Sequence, residues 1–323
     1  MGRPTVRVGG VVRLGDDLDL LDAAVARASE QTGIPLQQVR KDFWLTEALR
    51  AAVSHANASG TRVVFKGGTS LSKVFRLIER FSEDVDLLVV APGSKTAINT
   101  AMKGLVAAAE QHLGITGTLN LKTVDAGVFR AVRLVYPGCL PPDAGLLLEV
   151  GARGGAIPNA EYDVTSIVAP LASAMLDENI DEAEPFVVHV LSPARTLVEK
   201  LVIVHEAHQR PHGPGREQRI VRIARHYYDI WCLLGNPAVR EELASHGTAI
   251  LAREVCQHSK AIGLPAVTYP AGGFAAAAAF DPKSTVHQRK AYTANVPQLL
   301  WPTATFPNFT QCLDRVADHT AIL

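Results

Sequence analysis

Two aspartates one position apart are the first residues whose type and spacing suggest chemistry. Asp84 and Asp86 open a run rich in branched apolar residues, which predicts a strand over residues 84–90. Alternate residues of a strand point to one face, so the two carboxylates would lie side by side. Mg²⁺ ions, which prefer oxygen ligands, would offset their repulsion and bind a triphosphate as well. The alternative is a solvated strand face, but the apolar residues that follow favour an interior strand, where unpaired acids are costly.

A pair of glycines, Gly67-Gly68, is the second candidate. Residues 62–66 predict a strand that ends at this pair, and the next residues predict a helix over residues 69–80 with Thr69 or Ser70 as its N-cap. Glycine lets the backbone approach a ligand closely, and the free N–H groups of a helix N-terminus attract phosphate. Ser70 and Lys73 would add a hydroxyl and a positive charge. The alternative is an ordinary turn from strand to helix.

The surrounding pattern predicts an α+β fold. Further strands are predicted over residues 119–123, 129–135, 146–150 and 186–190, and helices over residues 18–29, 35–55 and 97–113. From Pro193 onward the pattern is helical, with Leu197, Leu201 and Val204 on one face of the first helix and another helix over residues 219–234. We therefore expect an α+β domain over residues 1–190 and a helical domain over residues 191–323.

Composition limits the classes of protein. The 323 residues are 47% hydrophobic and 20% charged, as in globular proteins, and 32 basic residues balance 32 acidic ones. Proteins that wrap a long duplex usually carry a basic excess, so any nucleic acid should be bound at one local patch. The apolar runs are too short for a bilayer, and three acids interrupt any signal-peptide core early, namely Asp16, Asp17 and Asp19. The four cysteines form no CxxC pair. We expect reduced thiols, no zinc site and a cytoplasmic protein.

The order of the two motifs is more specific than either alone. Fourteen positions separate Ser70 from Asp84, enough for a helix and a return. The strings FKGGTSLSK (residues 65–73) and RFSEDVDL (residues 80–87) closely resemble the AbiEii/AbiGii-type toxin family of the polymerase-β superfamily, which includes the mycobacterial MenT nucleotidyltransferases. The resemblance implies a polymerase-β-like core with a mixed sheet, in which Asp84 and Asp86 are catalytic metal ligands. It also implies nucleotide binding by Lys66, Gly67, Gly68, Thr69, Ser70, Lys73, Arg80 and Ser82.

The resemblance extends over roughly residues 35–235 and adds four residues. Glu149 would be a third metal ligand and Arg153 a phosphate contact, although Glu149 could equally be an exposed acid of an ordinary strand. Lys200 resembles the family's catalytic lysine, which steadies the triphosphate or its leaving pyrophosphate. Its alternative is a solvated helix charge. Asp229 resembles a further catalytic aspartate, and its alternative is a surface ion pair with Arg225. Lys200 and Asp229 would be the contribution of the helical domain to the site.

A basic cluster precedes Asp229. Arg219, Arg222 and His226 recur on one face of the predicted helix, and a stripe of this kind can hold RNA phosphates. A solvated helix face is the alternative. The residues assigned to RNA binding are Arg210, Arg216, Arg219, Arg222 and Arg225.

The resemblance implies the toxin of a toxin–antitoxin pair. It would use Mg²⁺ or Mn²⁺ to transfer nucleotides from a nucleoside triphosphate to RNA, with the tRNA 3′ end as the expected acceptor, and so block translation. Its partners would be this RNA and a cognate antitoxin protein, with no membrane. The alternatives are nucleotidylation of a small molecule or a protein hydroxyl by the same core, and a catalytically silent nucleotide-binding regulator. The nucleotide preference, the oligomeric state (a monomer included) and the role of residues beyond about 235 stay open.

Overall fold

The computed structural model describes residues 12–82, 84–90, 94–119, 125–139, 145–176, 179–210, 215–261 and 268–323. The chain forms two compact units. The first, here called the sheet unit, has the bounds Met1–Phe65, Glu83–Ala152 and Glu161–Val190. The second, the helical unit, comprises Lys66–Ser82, Arg153–Ala160 and Leu191–Leu323. The chain therefore passes between the units several times, and residues 66–82 and 153–160 belong to the helical unit.

The elements in chain order are as follows. The first part of the chain contains α1 (Leu18–Thr32), α2 (Leu36–Ser59), β1 (Arg62–Lys66), α3 (Gly67–Lys73), β2 (Asp84–Val90), α4 (Lys95–Leu113), β3 (Thr118–Leu119), β4 (Phe129–Leu134), β5 (Leu146–Gly151), β6 (Asn159–Val164), α5 (Val168–Leu176) and β7 (Phe186–Leu191). The second part contains α6 (Pro193–Gln209), α7 (Arg216–Gly235), α8 (Pro237–His246), α9 (Thr248–Ala261), α10 (Val286–Asn295) and α11 (Phe309–Asp318).

The seven strands form one mixed sheet in the order β3-β4-β5-β2-β1-β7-β6. The pairs β2–β5 and β1–β7 are parallel, whereas β4 runs antiparallel to β3 and β5. One face of β2 and β5 is buried. Alternate strand residues share a face, and on this face lie Val85, Leu87, Leu148 and Val150. The prediction of an α+β protein with a mixed sheet is confirmed.

The long helices of the sheet unit pack on one another. Asp17 caps α1 by accepting a hydrogen bond from the N–H of Leu20. The 24-residue helix α2 contacts both α1 and α4, which accounts for its wide apolar surface. Within the described residues, no helix combines the length and the apolar character that a bilayer crossing requires.

The helical unit has its own apolar core, which α6 and α7 share with the later helices. Ser192 caps α6, and Pro193 occupies its first turn, where no donor is lost. Leu197, Leu201 and Val204 are fully buried, as their spacing predicts. Because this face of α6 is buried in the core, the other faces of the helix contact other segments or solvent.

One predicted helix differs from the structure, and one strand was not predicted. The helix predicted over residues 69–80 is wrong at both ends, because α3 starts at Gly67 with Lys66 as its N-cap and ends at Lys73. Arg76 adopts a positive φ of 54°, and residues 79–81 pair with residues 299–301 through Phe81 N–Leu299 O (2.7 Å) and Trp301 N–Glu79 O (2.9 Å). Strand β6, exposed over most of its length, was not predicted. Residues 120–123 of the strand predicted over residues 119–123 lie outside the described residues.

Candidate active site

The predicted carboxylates of the sheet unit share one face of the sheet. Asp84 and Asp86 are both half-buried on β2, and the parallel register places Asp86 directly opposite Glu149 of β5. Residues that face each other in register point to the same side, so Glu149 joins the two aspartates there. The small Ala131 of β4 is the next partner of Glu149 across the sheet. The register therefore gathers three carboxylates on neighbouring strands.

Whether these residues fit a divalent cation depends on their donors. Mg²⁺ is usually bound through one or two carboxylates plus water and substrate phosphates, rather than by a complete protein cage. Asp84 and Asp86 supply oxygen donors of that kind. Among the residues that the structure describes, no group of three His, Cys, Asp or Glu side chains could hold a metal ion. The aspartate pair fits a cation that is shared with a nucleotide, and the role of Glu149 stays a prediction.

In the helical unit, neighbouring side chains lie close to the backbone of the Gly67-Gly68 turn. Gly67 has a positive φ of 81°, which favours glycine. A Cβ on Gly68 would lie only 2.7 Å from Arg80 Nη2 and 2.9 Å from Ser82 Oγ. Thr69 and Ser70 are buried, and Ser70 Oγ donates to the carbonyl of Gly67 at 3.0 Å. Gly68 is thus needed for packing against Arg80 and Ser82, Gly67 suits the positive φ, and the Ser70 hydroxyl stabilises the turn itself.

Asp229 lies between two buried cations. Arg80 Nε and Nη2 donate to Asp229 Oδ1 and Oδ2 at 2.6 and 2.7 Å, and Lys200 Nζ donates to Oδ2 at 2.7 Å. Arg80, Lys200 and Asp229 are 1%, 4% and 0% exposed, respectively. Burial alone would raise the pKa of Asp229, but the charges of Arg80 and Lys200 hold that pKa well below its usual value. Burial, assisted by the charge of Arg80, lowers the pKa of Lys200, and Asp229 partly offsets this.

His226 does not extend the predicted basic stripe. Its Nδ1 lies 3.8 Å from Asp229 Oδ2, and its side chain is largely buried. Burial, together with the positive charge of Lys200, lowers the pKa of His226 to about 3. The imidazole is therefore neutral at physiological pH. Of the arginines around it, Arg222 is exposed, whereas Arg219 and Arg225 are half-buried.

Three other predicted cations of the helical unit, Lys66, Arg153 and Arg210, form ion pairs. Lys66 Nζ contacts Glu199 Oε2 at 2.8 Å, and Arg153 Nη2 contacts Glu206 Oε2 at 2.7 Å. The second oxygen of Glu206 contacts Arg210 Nη2 at 2.9 Å. Arg153 also donates to Ser259 Oγ, and Arg219 donates to the carbonyl of Arg210. Of the other predicted residues, Lys73 is half-buried and Arg216 is half-buried at the start of α7.

Three charged residues of α6 were not predicted from the sequence to have a role. They are Arg195, Glu199 and Glu206, which are buried or half-buried on α6. A signal was present, because Arg195 and Glu199 are four positions apart, a spacing that places two charged side chains on one face of a helix. Their partners, however, lie in distant parts of the chain.

The fold defines an α+β protein with a mixed sheet and a helical unit. The family model described as "Nucleotidyl transferase AbiEii toxin, Type IV TA system" matches residues 48–315. The chain therefore belongs to the AbiEii family of toxin–antitoxin nucleotidyltransferases, in agreement with the resemblance of its motifs. No curated protein matches significantly. Among solved structures, MenT4, a nucleotidyltransferase toxin from Mycobacterium tuberculosis H37Rv, is similar at 15% identity and a TM-score of 0.37, covering 93% of this chain and 98% of that one.

Proposed function

We propose that this toxin transfers nucleotides from a nucleoside triphosphate to the 3′ end of tRNA and thereby blocks translation. The observation that carries the transfer chemistry is the placement of Asp84 and Asp86 on one half-buried face of β2, with Glu149 in register on β5. The acceptor is proposed from the resemblance to MenT nucleotidyltransferases and from the arginines of α7. RNA and nucleoside triphosphates as substrates suggest action in the cytoplasm, where a cognate antitoxin would neutralise the chain.

The carboxylates of the sheet unit would hold the metal. Asp84 and Asp86 are the proposed ligands of Mg²⁺ or Mn²⁺, with substrate phosphates completing the coordination. Glu149, in register opposite Asp86, would add negative charge beside them. When bound, such a cation polarises the α-phosphate and lowers the pKa of the attacking hydroxyl. The protein contributes fixed donors, because the strand pairing of β2 and β5 determines where the carboxylates point before any substrate arrives.

The residues of the helical unit would handle the charge of the triphosphate. Lys200 is proposed to stabilise the negative charge of the leaving pyrophosphate. Because Asp229 contacts both Lys200 and Arg80, we assign it to positioning these two cations rather than to contact with the substrate. The Gly67-Gly68 turn with Ser82 against it is the proposed nucleotide-binding segment. Ser70 donates to the carbonyl of Gly67 within this segment, and Thr69, Ser70 and Lys73 are proposed to belong to the nucleotide-binding residues.

The acceptor RNA would be bound by the arginines of α7 and the residues before it. Arg222 is exposed, and Arg219 and Arg225 lie within one turn of it on the helix. Each lysine or arginine that contacts phosphate adds about one unit to the slope of log affinity against log salt. We therefore expect Arg222→Gln to weaken RNA binding and to reduce that slope, whereas Arg253→Gln, a change at an exposed arginine of α9, should leave both unchanged.

One labelling experiment tests the proposed activity and acceptor together. The purified chain is incubated with Mg²⁺ and each α-labelled nucleoside triphosphate, in the presence of total RNA and total protein, and RNA 3′ ends are then sequenced. Label that appears in tRNA as nucleotides added at the 3′ end supports the proposal, provided that no label appears when EDTA is present. Label that enters protein or a small molecule instead contradicts the RNA acceptor, and no transfer under any condition contradicts the proposed activity.

A further inference from the structure

Helix α6 carries an ionic face besides Lys200. Arg195 and Glu199 are four positions apart, and Glu206 follows about two turns later, so the three lie on one face of the helix. Arg195 is fully buried and Glu199 is 8% exposed, although burial of charged groups is costly unless they are paired. All three contact residues outside α6 in the helical unit, so these side chains do more than face solvent.

Glu199 contacts the residue that precedes the glycine turn. Its Oε2 lies 2.8 Å from Nζ of Lys66, and the same ammonium donates to the carbonyl of Arg153 at 3.3 Å. The side chains of Lys66 and Glu199 are only 20% and 11% exposed. An ion pair this enclosed is far less screened than a surface pair, and removal of one partner leaves the other charge poorly compensated.

The loop after Arg153 packs against the ion pair of Lys66 and Glu199. Gly154 has a positive φ of 114°, and a Cβ there would overlap the second carboxylate oxygen of Glu199. Arg195 Nη2 donates to the carbonyl of Gly154, and its Nη1 contacts Glu254 Oε2 at 2.7 Å. Arg195 and Glu199 of α6 thus contact both the loop after Arg153 and Lys66, the residue that precedes the Gly67-Gly68 turn.

We propose that Glu199 is a positioning residue for nucleotide binding. It fixes Lys66 and the loop Arg153–Gly155, and through them the Gly67-Gly68 turn, which follows Lys66 directly in the chain. Lys66 then acts through this ion pair and does not itself contact phosphate. Because Lys200 directly follows Glu199 in α6, the same part of the helix fixes the positions of both the Gly67-Gly68 turn and Lys200. The inference rests on the proposed role of the turn in binding the nucleotide.

A double-mutant cycle tests this assignment. The variants are Lys66→Met, Glu199→Met and the double variant, and the measurements are KM and kcat for the triphosphate, the Kd of a nonhydrolysable analogue, and stability to urea. Each single change leaves one enclosed charge unpaired, and we expect KM and Kd to rise about tenfold with kcat within about threefold. The double variant removes both charges, so we expect both constants to return to within about threefold of the wild type.

Several results would overturn the inference. A double variant as impaired as Lys66→Met would show that Lys66 contacts the nucleotide, and a Glu199→Met variant with unchanged KM and Kd would show that Glu199 positions nothing. If the methionine variants do not fold, Glu199→Gln, which keeps an acceptor for Lys66 but loses the charge, must still raise Kd. Glu30→Gln, in the exposed pair with Arg27, is the matched control and should change nothing. A wild-type chain that binds the analogue but transfers no nucleotide contradicts the proposed function alone.

Discussion

Arg80 and Asp229 are 149 positions apart in the sequence and meet as a fully buried bidentate ion pair. Planar guanidinium and carboxylate groups match each other in this geometry, which makes such pairs specific as well as strong. Lys200 contacts the same carboxylate, so Asp229 joins α7, α6 and the segment before β2. The residues that the family resemblance assigns to catalysis therefore also hold the helical unit together.

Removal of the Asp229 charge should destabilise the protein strongly. In Asp229→Asn, Arg80 and Lys200 would remain buried without a counterion, which typically costs about 3–5 kcal/mol. The free energy of unfolding in urea measures this loss. Asp314→Asn, at an exposed position of α11, is the control and should stay within about 0.5 kcal/mol of the wild type. Equal stability of the two variants would show that the buried pair is not a stabilising contact.

His226 should make stability depend on pH. Its pKa is lowered from 6.5 to about 3 by burial and by Lys200, so between these values the unfolded chain binds a proton that the folded chain does not. Stability therefore rises with pH in this window and falls on acidification. Between pH 7.5 and pH 5 we expect the wild type to lose about 2 kcal/mol more than His226→Gln, which cannot take up this proton. Urea unfolding at both pH values gives the difference, and parallel pH profiles for the two proteins would refute it.

Gly68 should not tolerate even alanine. The added Cβ would lie 2.7 Å from Arg80 Nη2, and the guanidinium cannot move away without breaking its contacts with Asp229. We expect Gly68→Ala to lower stability by about 1–3 kcal/mol and to impair nucleotide binding. Gly15→Ala is a suitable control, because the nearest atom to its Cβ would be 3.6 Å away. Wild-type stability and nucleotide affinity in Gly68→Ala would mean that the turn has room that the structure does not show.

Local sequence signals were sufficient for most of the fold. Branched apolar runs identified β1, β2, β4, β5 and β7, because these strands bury at least one face. The short α3 was mispredicted because its end is set by tertiary contacts, namely the pairing of residues 79–81 with residues 299–301. No local pattern contains that information. Strand β6 was missed for the opposite reason, since its exposed residues carry no apolar alternation.

The candidate site was predictable in part. The motif residues themselves were identified from sequence, and the register of β2 and β5 places Asp86 beside Glu149 on one face. Sequence alone could not reveal that Asp229 binds Arg80 and Lys200, or that Glu199 holds Lys66, because these contacts depend on packing between distant segments. Their catalytic and binding roles remain predictions.

The central claim is that the carboxylates of Asp84 and Asp86 support nucleotidyl transfer. The most direct measurement is the single-turnover rate of label transfer from an α-labelled triphosphate to RNA, for the wild type, Asp86→Asn and Asp163→Asn. Asp163 is an exposed acid of β6 in the same sheet and serves as the control. We predict a rate lower by about a thousandfold for folded Asp86→Asn and within about twofold of the wild type for Asp163→Asn. A folded Asp86→Asn variant that transfers label at the wild-type rate would contradict the account.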